Sequence, residues 1–183
     1  MPGRGKALAD GAVLSDGLTD SKARTRTVTW QDPMATLSEA SGMSGLEFMR
    51  AVMTGKLPPP PIMSTIGITG GEVAEGRAVF AGEAGEFLYN PIGVVHAGFA
   101  MTILDSAMGC AVHTTLALGE RYTTLETKVN FVRAITAETG PVRAEGVVVH
   151  RGGRVATAEG KLIAESSGKL LAHGTSTCLV IPR

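Results

Sequence analysis

The strongest constraint on the fold of this chain is a long apolar run that contains one charged residue. Residues 94–118 carry no Asp, Glu, Lys or Arg except Asp105. The run is too long for a typical strand, and it is dominated by Ala, Met and Leu, which favour helices. Because its residues are apolar almost all round, we predict a central helix of about five turns that is buried on most sides.

Segments of strand-like composition surround this helix. Residues 122–132, 142–151, 154–165 and 169–181 are rich in β-forming residues and predict an antiparallel meander. On the N-terminal side, residues 44–53 have the spacing of a short amphipathic helix, which the prolines at 58–61 should prevent from resuming. Residues 62–69 and 72–83 are predicted strands joined by a hairpin turn at Gly70-Gly71.

This order of elements predicts a single α+β domain over residues 30–183. In it, one antiparallel β-sheet wraps around the long central helix. The chain has 183 residues, of which 44% are hydrophobic, enough to build one core. Residues 1–29 have no hydrophobic period, so we expect a disordered or loosely ordered N-terminal tail.

Charge and composition exclude several classes of function. Seventeen basic and seventeen acidic residues give a net charge of +0, so no overall field attracts nucleic acid or an anionic membrane. No apolar stretch has the length of a membrane span, and the two cysteines lack C-x-x-C spacing, so we expect a soluble cytoplasmic protein. The four histidines lack metal-ligand spacing and no glycine-rich nucleotide motif occurs, so we expect neither metal nor organic cofactor.

Asp105 is the first candidate functional residue. An ionised carboxylate inside a protein is costly unless it is paired, hydrogen-bonded or protonated. One interpretation is an aspartate neutralised by a lysine or arginine from elsewhere in the chain. The other is a cleft, because one helix face carries a polar and small stripe that consists of Thr102, Asp105, Ser106, Gly109 and His113.

The loop that leads into this helix, residues 90–98, is the second candidate. The start of a helix has free backbone N–H groups and the positive end of the helix dipole. Such donors would stabilise a carbonyl oxygen that gains negative charge during acyl transfer. The alternative is that Asn90 and His96 only satisfy the turn and the helix start.

Residues 89–131 resemble the PaaI-type branch of the hotdog-fold acyl-CoA thioesterases. The signature of that family is an asparagine, a short glycine-containing loop, His-Gly-Gly and an aspartate on the central helix. The matching residues here are Asn90, Gly93, His96, Gly98 and Asp105. Ala97 replaces the first glycine of His-Gly-Gly. Alanine keeps the backbone N–H, so this replacement bears on the size of the pocket more than on catalysis.

The resemblance implies a hotdog fold and the hydrolysis of a small acyl-CoA, with aromatic groups such as phenylacetyl suggested by family analogy alone. It makes Asp105 the general base or the nucleophile, and the choice stays open. It gives Asn90 and the Ala97 amide the role of holding the carbonyl or the water, and Thr124 the role of orienting the water. It also implies a homodimer with shared active sites, assembled into a homotetramer as a dimer of dimers.

The phosphates of coenzyme A need cationic contacts. The candidates for binding the CoA moiety are Arg151, Gly153, Arg154 and Lys128, with Arg133 as a further one. The alternative is that these are ordinary solvated charges of strands and hairpins.

Two other functions stay open. A hotdog enoyl-thioester hydratase or dehydratase would need an Asp-x-x-x-x-His motif, but Cys110 occupies the fifth place after Asp105. A non-catalytic acyl-CoA-binding protein on the same fold would release no thiol. Cys110 and His113, one helical turn apart, could also form a nucleophilic pair, although a cysteine on a buried helix is more often a packing residue.

The length of the helix gives a last expectation. Ala97 and Asp105 are eight residues apart in the sequence. On one helix their backbones are then separated by about 12 Å, which an aspartate side chain cannot span. We therefore expect a two-fold dimer with antiparallel central helices, in which Asp105 of one subunit faces Asn90, His96 and Ala97 of the other.

Overall fold

A computed structural model describes residues 23–182 of the chain. The helices are α1 (Pro33–Glu39), α2 (Gly45–Met53), α3 (Pro61–Ile66) and α4 (Ala97–His113). The strands are β1 (Ile68–Ala74), β2 (Arg77–Glu83), β3 (Arg121–Phe131), β4 (Pro141–Arg151), β5 (Val155–Ala164) and β6 (Leu170–Ile181). Two single 3₁₀ turns, Glu86–Leu88 and Ala137–Thr139, lie in the connections.

The predicted central helix is α4, which has 17 residues and contacts all six strands. Nine of its residues are buried against the sheet and the core. The helix approaches β4 closely at Gly146, where an added Cβ would collide with the backbone of Ala107. On its other side, Thr102, Asp105 and Ser106 are half-buried. The helix is therefore closed toward the sheet and open along one stripe.

The six strands form one antiparallel sheet in the order β1-β2-β4-β5-β6-β3. This confirms the predicted architecture of one antiparallel sheet around one long helix. Strands β4, β5 and β6 form the predicted meander. The prediction is wrong at β3, because the chain crosses from α4 to the far edge of the sheet, where β3 pairs with β6.

The first hairpin differs from the prediction. Residues 61–66 form helix α3, and Gly70 and Gly71 lie inside β1, opposite Ala81 and Phe80. The turn is at residues 75–76 instead, where Gly76 has a φ of 71°. Helix α2 ends at Met53 and does not resume, as predicted, but a new helix begins at Pro61, the first residue of α3, where its fixed φ suits a helix and its missing N–H costs nothing.

Two further short helices, α1 and α2, precede α3. Helix α2 fills the predicted segment and begins with a capping box between Ser44 and Glu47. Helix α1 was not predicted, although Asp32 caps its N-terminus and Pro33 follows at the first helical position. None of the residues of α1 is buried, so it lies on the body of the protein rather than inside it.

Residues 1–22, most of the predicted tail, lie outside the described residues. Residues 23–29 have no regular secondary structure, yet they contact the domain. The Arg26 guanidinium donates hydrogen bonds to the carbonyls of Ser64 and Thr65, each at 2.6 Å, and lies 4.0 Å from the centre of the Phe87 ring. The tail boundary at residue 29 stays a prediction. Among the described helices, none is long and apolar enough to cross a membrane.

Candidate active site

Asp105 lies in the middle of the open stripe of α4 and is half-buried. Its Oδ1 accepts a hydrogen bond of 2.9 Å from the Thr127 hydroxyl on β3. Within residues 23–182, no basic side chain lies at ion-pair distance from this carboxylate. The interpretation in which a lysine or arginine neutralises a buried Asp105 therefore does not describe this structure.

Thr127 is a functional candidate that the sequence reasoning missed. Strict alternation along β3 would put Thr124 and Thr127 on opposite faces of the sheet. A shift in the β3–β6 register falls between Thr124 and Glu126, so one extra residue, Leu125, has no partner. Beyond this bulge the faces are exchanged, and Thr127 points toward α4 together with Thr124. Thr124, which the resemblance selected, lies opposite Cys178.

A second hydroxyl supports Thr127 from behind. The Ser176 Oγ on β6 lies 3.3 Å from the Thr127 Oγ1 and donates to the Glu126 carbonyl at 3.1 Å. Ser176 is 2% exposed, so this hydroxyl is enclosed by the protein. Asp105 is thus held by a hydroxyl that is itself fixed between two strands.

The loop 90–94 is closed by its own asparagine. The Asn90 Oδ1 accepts from the backbone N–H groups of Ile92 at 3.0 Å and Val94 at 3.3 Å. Gly93 completes the turn with a φ of 81°, which a side chain would strain. The side-chain oxygen of Asn90 is therefore engaged, and its NH₂ group, which has no partner in the described part of the chain, is the free donor.

The start of α4 has one engaged and one free backbone donor. His96 is the N-cap, and its Nδ1 accepts from the Gly98 N–H at 2.9 Å. The Ala97 N–H has no hydrogen-bond partner among residues 23–182, and Ala97 is exposed. Asn90 and His96 therefore do satisfy the turn and the helix start, and this leaves the Ala97 amide available to a ligand.

These donors border a cavity of about 340 Å³. Its walls include Asn90, His96 and Ala97 from the loop, Phe131 at the end of β3 and Arg133 just beyond that strand. Asp105 does not line this cavity, which agrees with a separation of about 12 Å along α4 between the aspartate and Ala97. In one chain the structure does not bring the predicted acid and the predicted donors together.

Cys110 and His113 do not form an activated nucleophile. Burial, with a smaller contribution from the charge of Asp105, raises the pKa of the Cys110 thiol to about 12, so the thiol stays protonated at neutral pH. Burial lowers the pKa of His113 to about 4. The His113 ring stacks on Phe48 at 5.1 Å and lies 5.4 Å from Tyr122, as a packed aromatic residue does.

Of the candidate CoA-binding residues, Arg133 lines the cavity at the loop 90–98, whereas the hairpin of Arg151, Gly153 and Arg154 lies apart from it in one chain. Arg151 is engaged in an ion pair of 2.7 Å with Glu120, which follows the C-terminal end of α4. Gly153 and Arg154 are exposed in the same hairpin, and Lys128 is exposed on β3. Within one chain, the Arg151 hairpin and the Ala97 amide are at opposite ends of a helix about 25 Å long.

Comparison with known proteins decides the family. Residues 92–171 match the family model of the thioesterase superfamily. A mutant of the phenylacetic acid degradation protein PaaI from Thermus thermophilus is 31% identical in sequence. The match covers 66% of this chain and 98% of that chain, with a TM-score of 0.58. The chain belongs to the thioesterase superfamily.

Two further solved structures are similar to this chain. A phenylacetic acid degradation-related protein from Ralstonia eutropha is 28% identical, with a TM-score of 0.63 over 71% of this chain and 97% of that chain. A Streptococcus mutans protein bound to acetyl-CoA is 19% identical, with a TM-score of 0.56 over 64% of this chain and 89% of its own, and shows the fold alone. No curated protein matches the sequence. The predicted hotdog fold and the predicted enzyme class, a thioester hydrolase, are confirmed.

Proposed function

We propose that this thioesterase hydrolyses small acyl-CoAs at a site shared by two copies of the chain. The single observation that carries the proposal is Asp105, a carboxylate on an open stripe of the central helix that a hydroxyl holds and no described cation neutralises. Relatives named phenylacetic acid degradation proteins make aromatic groups such as phenylacetyl the first acyl groups to test.

The chemistry allows two routes at Asp105. As a general base, the carboxylate takes a proton from water, the hydroxide attacks the acyl carbon, the C–S bond breaks and the thiolate of CoA takes up a proton. As a nucleophile, the carboxylate forms a mixed anhydride and expels the thiolate, and water then hydrolyses the anhydride. Both routes place negative charge on the carbonyl oxygen, where the Ala97 N–H and the Asn90 NH₂ would donate, and Thr124 would help to orient the water.

The shared site follows from the separation of acid and donors. In a dimer with antiparallel central helices, Asp105 of each subunit meets Asn90, His96 and the Ala97 amide of the other, which gives two equivalent sites. Strand β3 ends the sheet next to the open stripe, so its outer edge can pair with another chain. Exposed apolar side chains border this region, namely Met101, Leu125, Phe131 and Val132. Two such dimers would form the proposed tetramer.

The CoA moiety of the bound substrate would extend away from the thioester along basic residues. Arg154 and Lys128 are exposed, and Arg133 lines the same cavity as Asn90 and Ala97. Antiparallel helices would bring the hairpin of Gly153 and Arg154 in one subunit toward the loop 90–98 of the other. Both cysteines are free, which fits the reducing cytoplasm that we propose as the compartment.

Thiol release from a panel of acyl-CoAs tests the function, and subunit mixing tests the shared site. Asp105→Ala and Asn90→Ala should each be inactive as homodimers. A mixed dimer has one intact pair and one doubly damaged pair. After subunit exchange at equal amounts, activity should therefore return to about a quarter of wild type.

Three outcomes decide between the alternatives. Absence of thiol release from every thioester, with CoA esters still bound, would favour the non-catalytic acyl-CoA-binding protein. Hydration of an enoyl-CoA without thiol release would favour the hydratase. Mixed dimers that form, as shown by two distinct affinity tags on one complex, and that stay inactive would contradict the two-chain site while leaving the thioesterase activity in place.

A further inference from the structure

A second cavity, of about 270 Å³, lies under the N-terminal helices and is separate from the one at the loop 90–98. Helices α1, α2 and α3, strand β2 and helix α4 all contribute to its wall. Its lining includes Leu37 from α1, Met53 from α2, and Ser106 and Cys110 from α4. None of the lining residues among residues 23–182 is charged, and the hydroxyls of Thr36 and Ser106 are the main polar groups in an otherwise apolar wall.

This cavity reaches the central helix beside the candidate acid. Ser106, which lines it, follows Asp105 directly in the chain, and Cys110 lies one turn further along. The Cys110 thiol stays protonated, so it forms an uncharged wall. No residue of the loop 90–98 lines this cavity. On one polypeptide the cavity is therefore adjacent to the acid and not to the carbonyl donors.

We propose that this cavity receives the acyl group of the substrate, and that the subunit supplying Asp105 to a shared site also supplies its acyl pocket. The subunit supplying Asn90 and Ala97 then binds the CoA side. This inference rests on the proposed function and adds the substrate class: uncharged, apolar acyl groups of roughly six to ten carbons, aromatic or aliphatic. Size supports that range, since an apolar cavity of about 150 Å³ is enough for benzene.

The wall also determines what is excluded. Among residues 23–182, no lysine, arginine or histidine lines the cavity, so these residues offer no partner to the buried carboxylate of a dicarboxylic acyl group. Three methionines, Met49, Met53 and Met63, contribute flexible side chains that can fit a ring or a straight chain. Octanoyl-CoA and phenylacetyl-CoA should therefore be substrates, whereas succinyl-CoA should not, and acetyl-CoA should use little of the cavity.

Pocket variants test the location of the acyl group. Leu37 lines the cavity from α1 and is 59% exposed, so Leu37→Asp places a charge at its mouth without disturbing the core. Met34 lies on the same helix, is 68% exposed and does not line the cavity, so Met34→Asp is the matched control.

A second variant, Met53→Trp, fills the cavity from α2. We expect kcat/KM for octanoyl-CoA and phenylacetyl-CoA to fall about tenfold or more in Leu37→Asp and Met53→Trp. The value for acetyl-CoA should change less than about twofold, and Met34→Asp should resemble wild type throughout.

Mixed dimers test which subunit supplies the pocket. Leu37→Asp is placed either on the Asn90→Ala chain, which supplies Asp105 to the intact site, or on the Asp105→Ala chain, which supplies Asn90. On the first chain it should lower the rescued octanoyl-CoA activity about tenfold, and on the second it should leave that activity within about twofold.

The reverse pattern, or equal effects on both chains, would overturn the inference. A Leu37→Asp enzyme that loses octanoyl-CoA and acetyl-CoA activity equally would also overturn it, as would a wild type that prefers succinyl-CoA. In each of these outcomes thiol is still released, so the proposed function survives. Failure of the proposed function is different, because wild type would then release no thiol from any member of the panel.

Discussion

The two halves of the proposed site are built in different ways. In the loop 90–98, the side chains of Asn90 and His96 bond to backbone N–H groups two to four residues further along the chain. Asp105 instead depends on Thr127, which is 22 residues away in the sequence and donates to it from strand β3. The conformation of the loop is thus determined by contacts within it, and the Ala97 N–H and the Asn90 NH₂ are left as free donors in fixed positions. The acid has one distant partner, so its position depends on the register of β3.

Replacing Asp105 should have the largest effect on activity. Asp105→Asn keeps the oxygen that accepts from Thr127 but removes the base or nucleophile, so thiol release should fall about 10²- to 10⁴-fold. The melting temperature should stay close to that of wild type, because Asp105 is half-exposed and asparagine has nearly the same shape as aspartate. Glu159→Gln, which removes an exposed carboxylate from β5, is the matched control. Near-normal turnover of Asp105→Asn would show that the acid is elsewhere.

Removing the hydroxyl of Thr127 tests the distant support directly. A hydrogen bond to a charged group contributes about 1.5–3 kcal/mol, so Thr127→Val should lower kcat roughly ten- to a hundredfold with little change in KM. Thr127→Ser should restore most of the activity. Thr124→Val is the comparison, since both threonines face α4. A larger loss of kcat in Thr124→Val than in Thr127→Val would favour the residue that the family resemblance selected.

The same contrast between local and distant contacts explains how much the sequence predicted. The central helix, helix α2 and the last four strands were predicted because each has its own period or composition. The segment 90–98 was identified for the same reason, since its turn and helix-start signals are local. Helix α1 was missed despite the local signal of Asp32-Pro33, which is a capping residue followed by proline at the first helical position.

The prediction errors occur where the structure depends on pairing between segments that are distant in the sequence. The sequence does not show that β3 crosses to β6, because that choice depends on how the sheet closes around α4. It does not show the bulge at Leu125, so alternation from Thr124 assigns Thr127 to the wrong face. Gly70-Gly71 resembles a hairpin turn, yet both glycines lie in β1, where an added Cβ on Gly71 would collide with the Val79 carbonyl.

His113 lies on the same helix as Asp105 but differs from it, because the His113 ring is largely enclosed by the protein whereas Asp105 lies on the open stripe. Burial lowers its pKa to about 4, so the folded protein prefers the neutral ring and the unfolded chain binds the proton more strongly. The contribution to stability is complete above the unfolded pKa of about 6.5 and is lost as the pH falls toward 4. The loss should amount to about 3 kcal/mol at most, since each tenfold change in proton affinity is about 1.4 kcal/mol.

Urea unfolding at pH 7.5 and at pH 4.5 measures this contribution. His113→Phe keeps a ring between Phe48 and Tyr122 but cannot ionise, so it should lose less stability between the two values than wild type. Burial raises the pKa values of the neighbouring Tyr122 and Cys110, so both stay neutral throughout this range. The exposed His173→Gln is the control. Equal losses in wild type and His113→Phe would assign the acid sensitivity to other groups.

The smallest expected effects concern Arg151 and Arg154, which flank the hairpin between β4 and β5 and should have different roles. The Ala117 N–H and the Arg151 guanidinium hold the pKa of Glu120 below its usual value, so Arg151 ties the hairpin to the end of α4. Arg151→Ala should therefore lower the melting temperature and change KM little.

Arg154 is exposed, and its side chain makes no hydrogen bond or ion pair within residues 23–182. If it contacts a phosphate, Arg154→Ala should raise KM for phenylacetyl-CoA about two- to fivefold, as expected for a solvent-screened charge, and leave stability unchanged. Phenylacetyl-pantetheine, which has no nucleotide, should show no such rise. A rise of equal size for both substrates would mean that Arg154 acts through the shape of the site, and the phosphates would then have to be bound by Arg133 or Lys128.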